Sequence, residues 1–170
     1  MSISSGSTIQ PALTGSCKCG KVAYSSSILP TVLTNCHCKT CRKLSGAPYL
    51  TFAGFPVSAI TYSSDASSLT TTRYSEIADR THCSSCGTPI SMQYKCQPEN
   101  ISITAGSIDE ESLKAPLLKV SQHIFLSEKA SWFEIPGDEK EKCQKFEKFS
   151  TNFQKKVDGW KKVFLSPGLG

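Results

Sequence analysis

From Gly15 to Ile135 the apolar residues come in short, partly alternating runs rich in β-branched and aromatic side chains. Val22-Ala23-Tyr24, Pro48 to Phe52, Leu69 to Tyr74, Ile90 to Tyr94 and Ile101 to Thr104 read as strands. Gly, Pro, Ser and Asn interrupt them at short intervals, and only Cys38 to Ser45 reads as a helical turn. This pattern predicts a small, mainly β domain over residues 14–136. Residues 1–13 are Ser/Thr-rich without periodicity and read as a mobile leader. Beyond Gly137 the period changes. Phe146, Phe149, Phe153, Val157, Trp160 and Phe164 are spaced 3, 4, 4, 3 and 4 residues apart, which is one face of a helix. Residues 137–170 are therefore expected to form an amphipathic helical tail, capped near Asp138 and ended by Pro167-Gly168. Its aromatic stripe is expected to lie on the β domain.

Composition narrows the class. The chain has 170 residues, enough for one domain, and its 38% hydrophobic content excludes a disordered protein. That share is modest for a globular core, so a further cross-link is expected. The net charge of +5 lies mostly in the tail, which carries +3 between Asp138 and Lys162. No basic stripe of the kind that grips nucleic acid is present, and no nucleic-acid partner is expected. No run approaches the roughly 18 apolar residues of a membrane span. Residues 1–7 have neither a basic n-region nor an apolar h-region, so a cytoplasmic protein is expected.

The nine cysteines change the picture most. Seven lie in tight clusters: Cys17-x-Cys19, Cys36-x-Cys38-x-x-Cys41 and Cys83-x-x-Cys86. Neighbours so close pair poorly as disulfides but can gather around one metal ion. Seven divides into four plus three. A four-thiolate zinc is closed and serves the fold, whereas a three-thiolate zinc keeps one position open. If Cys17 and Cys19 share an ion with Cys83 and Cys86, the clip closes a long loop and contributes on the order of 10 kcal/mol to folding. The spacing alone equally allows Cys83 and Cys86 to pair with two of the central cysteines. A zinc held by three thiolates has reduced Lewis acidity and suits binding a fourth, substrate thiol as thiolate. Its expected chemistry is making or breaking bonds to sulfur.

At these motifs the sequence resembles a known family. Gly15-Ser16-Cys17-Lys18-Cys19-Gly20-Lys21-Val22, Cys36-His37-Cys38-Lys39-Thr40-Cys41-Arg42-Lys43-Leu44-Ser45-Gly46-Ala47 and Cys83-Ser84-Ser85-Cys86-Gly87-Thr88-Pro89 are similar to the CENP-V/GFA family, named for the glutathione-dependent formaldehyde-activating enzyme. Gly106 to Asp109, His123-Ile124-Phe125 and Lys129 to Trp132 follow in the family's order. The resemblance spans about residues 14–135 and leaves out the tail. It implies a β-tent fold of small antiparallel sheets with zinc sites, like the Rab-exchange-factor-like zinc proteins. It also implies two zinc ions: a structural one on Cys17, Cys19, Cys83 and Cys86, and a catalytic one on Cys36, Cys38 and Cys41. The implied reaction is carbon–sulfur lyase chemistry, the formation or cleavage of S-hydroxymethylglutathione, with glutathione as co-substrate. The alternatives are the same zinc site adapted to another small electrophile or thiol adduct in specialised metabolism, and a non-catalytic zinc-stabilised binding module.

Arg42 and Lys43 are candidates for attracting glutathione's carboxylates, and His123 for facing the site. His37 and His82 adjoin ligand cysteines and would act as a fourth ligand, a proton shuttle or a supporting residue. Trp132 is expected in the core, and Cys96 and Cys143 as buried or half-buried thiols. A small-molecule thiol and an electrophile are the expected partners, no membrane among them, and a homo-oligomer is compatible with the chain.

Overall fold

The computed structural model describes residues 10–63, 66–136 and 143–165. Among the described residues, eleven strands form two sheets, accompanied by two α-helices. The strands are β1 (Leu13–Ser16), β2 (Ala23–Ser26), β3 (Val32–Cys36), β4 (Leu50–Pro56), β5 (Ile60–Tyr62), β6 (Leu69–Ser75), β7 (Ala78–Cys83), β8 (Pro89–Tyr94), β9 (Asn100–Thr104), β10 (Gln122–Ile124) and β11 (Gln144–Lys145). Helix α1 (Lys39–Ser45) falls between β3 and β4, and α2 (Thr151–Phe164) ends the described chain. The smaller sheet has the order β1-β2-β5 and the larger β11-β10-β3-β4-β9-β8-β7-β6.

Each of the five runs read as strands contains a strand, although Val22, Pro48 and Tyr49 lie outside theirs, and the helical turn read from Cys38 to Ser45 is α1 with Cys38 as its N-cap. The larger sheet departs from the antiparallel arrangement that the family resemblance implied. β10 runs parallel to both β3 and β11, so this edge of the sheet is parallel.

Alternation of side chains along these strands gives the large sheet two different faces. Leu33, Ala53, Phe55 and Ile103 point to the small sheet and form the main core with Leu13, Val22, Tyr24, Ile90 and Ile108. The opposite face carries Cys36, Phe52, Ala78 and Met92, with Cys41 from α1 packed on them. Register enforces this division, because Cys36 pairs with Leu50 and Ile124 while Asn35 pairs with Thr51 and His123. A slip of one residue would exchange the faces.

Both termini of the sequence reading need correction. Leu13 is fully buried in β1 rather than part of a leader, and Ala12 already donates its amide to the Ser26 carbonyl. Residues 1–9 lie outside the described part, as do Asp138 and Pro167-Gly168. The tail helix is shorter than its periodicity suggested. Phe146 and Phe149 precede it, and Ser150 caps it by accepting from the Phe153 amide. Residues before the cap follow the sheet instead. The Phe146 amide donates to the His123 carbonyl, and the Phe125, Leu126 and Ser127 amides donate to the carbonyls of Lys148, Phe146 and Glu147. Available edge donors and acceptors on β10 thus outweigh a helical apolar period.

The aromatic stripe does reach the domain. Phe149 meets Phe125 at 4.7 Å and Tyr94 at 5.6 Å between ring centres, and Phe153 meets Tyr94 at 4.8 Å. Val157 is buried. Trp132 is not in the core as expected but 71% exposed. No helix among the described residues is long and apolar enough to cross a membrane.

Phe149→Ala should cost about 2 kcal/mol in urea unfolding, less than a fully buried Phe, because its ring is half-buried. An unchanged midpoint would mean that the tail does not stabilise the sheet.

Candidate metal centres

Two groups of cysteines converge. Cys17, Cys19, Cys83 and Cys86 bring their sulfurs within 4.8 Å of one another, and so do Cys36, Cys38 and Cys41. The structure thus resolves the pairing that spacing left open.

The four-sulfur group is built by two backbone knuckles. Cys17 and Cys19 follow β1 of the small sheet, while Cys83 closes β7 of the large one. Each knuckle turns on a glycine in the left-handed region, Gly20 at φ +77° and Gly87 at φ +74°, a conformation that residues with a Cβ adopt at a cost. The Gly20 amide donates to the Cys17 carbonyl and the Gly87 amide to the Cys83 carbonyl. Cys17 Sγ lies 3.5 Å from Cys19 Sγ, and Cys19 Sγ 3.7 Å from Cys83 Sγ. A tetrahedral zinc with Zn–S bonds of about 2.3 Å separates its sulfurs by about 3.8 Å. The donor set therefore fits zinc. The Val22 amide donates to Cys17 Sγ, and Thr88 Oγ1 lies 3.1 Å from Cys86 Sγ. Thr88, through its side chain and amide, pulls the exposed Cys86 thiol down to about 5, while Cys17 and the other sulfurs push Cys19 up to about 11.

The three-sulfur group sits on one strand–turn–helix unit. Cys36 ends β3, Cys38 is the N-cap of α1, and Cys41 lies in its first turn. Cys38 Sγ accepts the Cys41 amide at 3.3 Å, and Glu128 Oε2 accepts the Lys39 amide at 2.8 Å. A carboxylate and a sulfur together satisfy two of the free amides of this helix start. Cys36 and Cys41 are buried and Cys38 is half-buried, so solvent reaches the group at Cys38. Cys36 and Cys41 act on Cys38 to push its thiol down to about 2, with Arg80 contributing. Conversely, Cys38 and Cys41 push the buried Cys36 thiol far up. Without a cation, the cluster holds one thiolate and resists the next; a divalent soft ion is what allows all three.

The sequence did not point to Arg80. It lies on β7, and its Nη2 donates to Cys41 Sγ at 3.4 Å while the guanidinium stands over the Phe52 ring. A three-thiolate zinc carries a formal charge of −1, which this cation opposes. Register explains the contact: Arg80 pairs with Met92, whose side chain packs on the same sulfurs. Thirty-nine residues separate Arg80 from Cys41, so no local motif could have revealed it.

The predicted histidines lie elsewhere. His37 and His123 share a hydrogen bond of 2.8 Å between Nε2 and Nδ1, buried beside Tyr49 and Phe133. His123 pairs with Asn35, on the sheet face opposite Cys36, and His37 is not among the gathered ligands. Among the described residues His37 Nδ1 makes no well-aligned hydrogen bond, the Pro48 carbonyl being the backbone group that acts on it. Burial, then His123 and Lys129, push its imidazole down to about 4, opposed in part by the Pro48 carbonyl. His82 on β7 lines a small cleft with Arg80. Arg42 lies on α1 with a buried, unpartnered Nε, and Lys43 is exposed on the same helix. Lys129 donates its Nζ to the Ala130 and Phe133 carbonyls. Cys96 and Cys143 are half-buried, as expected.

The chain is mainly β and carries one four-sulfur and one three-sulfur group, each able to hold a zinc ion. Comparison with known proteins gives its relationship. Residues 12–128 match the family described as glutathione-dependent formaldehyde-activating enzyme, and the chain belongs to that family. A crystal structure of a Rhodobacter sphaeroides protein is similar, with TM-score 0.50 and 22% identity over 57% of this chain and 88% of that one, a likeness in fold. No curated protein matches the chain.

Two zinc ions per chain are expected by atomic emission. Cys83→Ser should lose one and lower the Tm by about 10 °C or more, while Cys38→Ala should lose the other and shift Tm by only a few degrees. Equal destabilisation by the two variants would contradict the division of labour. His37 provides a pH signature. Its depressed imidazole keeps the full stability contribution above the unfolded value of about 6.5 and loses it as pH falls through about 4. Its ring resonances should stay those of a neutral imidazole from pH 7 to 5; a midpoint near 6.5 would contradict this burial.

Proposed function

We propose that the chain is a carbon–sulfur lyase-type enzyme that joins glutathione, or a related thiol, to a small carbonyl compound and catalyses the reverse cleavage. Cys36, Cys38 and Cys41 are its catalytic centre. The single observation that carries this reading is the three-sulfur group that solvent reaches at Cys38, against a complete four-sulfur group elsewhere. Zinc bound there would supply a position that holds the substrate sulfur as thiolate at neutral pH. Cys17, Cys19, Cys83 and Cys86 hold the structural zinc, and the two sheets that they join take the β-tent arrangement of the family.

The chain's own residues carry out the remaining steps. Arg80, held against Cys41, offsets the negative charge of the thiolates and offers N–H donors where an alkoxide develops. Burial, reinforced by Cys36, keeps the nearby Tyr94 phenol protonated, a second O–H donor for that oxygen. Arg42 and Lys43, on the helix that carries Cys41, attract glutathione's carboxylates together with His82 and Arg80, which line a cleft of about 110 Å³. His123 positions His37 rather than touching substrate. The α1 unit thereby links thiol binding to carboxylate attraction.

Addition of glutathione to formaldehyde proceeds without an enzyme, so the test compares rates with that background by NMR exchange spectroscopy. Cys38→Ala should bring exchange down to the uncatalysed rate while the fold and one zinc remain. Arg80→Gln should lower turnover about 10- to 100-fold. Full exchange in Cys38→Ala would overturn the reading.

A further inference from the structure

Beside the three-sulfur group, on the same face of the large sheet, lies a cavity of about 350 Å³. Its walls are not independent of that group. Phe52, Met92, Tyr94 and Ile124 pack against the cysteines and also line the cavity. Strand order explains this: Thr34, on the cavity wall, lies two residues before Cys36 on β3 and therefore faces the same way. The far wall comes from the tail, through Phe149, Ser150 and Phe153. This wall lies beyond the family match, which ends at residue 128. It is held by the hydrogen bonds from residues 125–127 to residues 146–148, and by the rings of Phe149 and Phe153 against Tyr94.

The size and chemistry of the cavity do not suit formaldehyde. Its volume is within the range of pockets that take small organic ligands, roughly 300–1,000 Å³, whereas formaldehyde has two heavy atoms. Aromatic and thioether side chains dominate the wall nearest the cysteines. The polar pair there is already satisfied, since Gln122 Nε2 donates to Thr34 Oγ1 at 2.8 Å. An apolar group that packs on Phe52, Met92 and Ile124 leaves that pair's hydrogen bond intact.

We propose that this cavity binds the carbon substituent of a larger aldehyde, so that the substrate is the glutathione hemithioacetal of an aldehyde with an apolar, ring-sized group. The assignment rests on the carbon–sulfur lyase reading for its thiol half. In the reaction, the thiol sulfur bonds to the carbonyl carbon, the carbonyl π pair becomes a lone pair on oxygen, and the thiol's proton moves to that oxygen. No oxidant or reductant is required, and cleavage reverses each change. Phe149 and Phe153 are then specificity-determining residues: they close the cavity around the substituent.

Two stable thioethers separate the halves of this claim. S-benzylglutathione and S-methylglutathione share the glutathione portion and differ only in the group that would enter the cavity. Titration calorimetry on the full-length, zinc-loaded protein should show the benzyl compound binding about tenfold more tightly. Ser102 lines the cavity from β9, outside the tail and the cysteine group. Ser102→Phe should abolish the preference and leave S-methylglutathione binding within twofold. Phe153→Ala should open the wall and move the preference toward an S-naphthylmethyl analogue, which keeps the test decisive if Ser102→Phe does not fold. Equal binding of the two thioethers by the unaltered protein, or a preference that survives both variants, would overturn the assignment, as would failure of both to bind. The lyase reading is tested by the exchange rate of Cys38→Ala and the cavity by thioether selectivity in the unaltered protein, so failure of one is distinguishable from failure of the other.

Discussion

The sulfur staple between the two sheets is the constraint on which the rest of the molecule depends. Cys17 and Cys19 extend from β1 in the small sheet, and Cys83 and Cys86 close the turn after β7 in the large one. Around them the core between the sheets is thin, with Leu13, Tyr24, Phe55 and Ile103 among its largest members. A small sheet of three short strands buries too little apolar area to hold its position alone. A metal held by these four sulfurs would add to that area, because a site absent from the unfolded chain turns binding energy into folding energy. Once the sheets are fixed, the large sheet can leave its other face for chemistry.

That second face shows why the cysteine spacing works. With one residue between Cys36 and Cys38, the chain leaves β3 and places two sulfurs on one side of the turn. With two residues between Cys38 and Cys41, the third sulfur arrives in the first turn of α1. The intervening His37 necessarily points away, which is why it meets His123 and Tyr49 instead of the sulfurs. Geometry here separates two functions that adjacent positions suggested were one. The buried imidazole pair supports the turn, with burial holding the His37 ring neutral, and the sulfurs lie on the other side.

Much of this was legible in the chain. Metal-ligand spacing is local, so the three cysteine motifs could be read directly but not which of them share a group, and five strands showed in their β-branched alternation. Other parts were hidden for identifiable reasons. β7 carries Asp79, Arg80 and His82 and lacks a hydrophobic rhythm, since Ala78 and Cys83 are its only fully buried positions. Arg80 was therefore invisible as a partner of Cys41. The tail had a real helical period, but its first turn competed with the exposed edge of β10 and lost. Trp132 was expected in the core because large aromatics usually are; it sits on a turn that keeps most of its ring in solvent.

The tail's short strand has a structural consequence beyond its own two residues. β11 continues the large sheet past β10, and that sets where Phe149 and Phe153 fall relative to Tyr94. Had the helix begun near Asp138, its stripe would have had to pack without the backbone bonds from residues 125–127. Edge pairing instead pins the first half of the stripe, and the Ser150 cap then redirects the chain into α2. Phe125 absorbs the change of direction with a φ of +61°, an uncommon conformation for an aromatic residue. Such a conformation persists where surrounding contacts determine it, here the Lys148 carbonyl on its amide and the Phe149 ring on its side chain. The wall of the cavity is thus set by backbone geometry at the sheet edge, which gives its shape a rigidity that packing of a free helix would not.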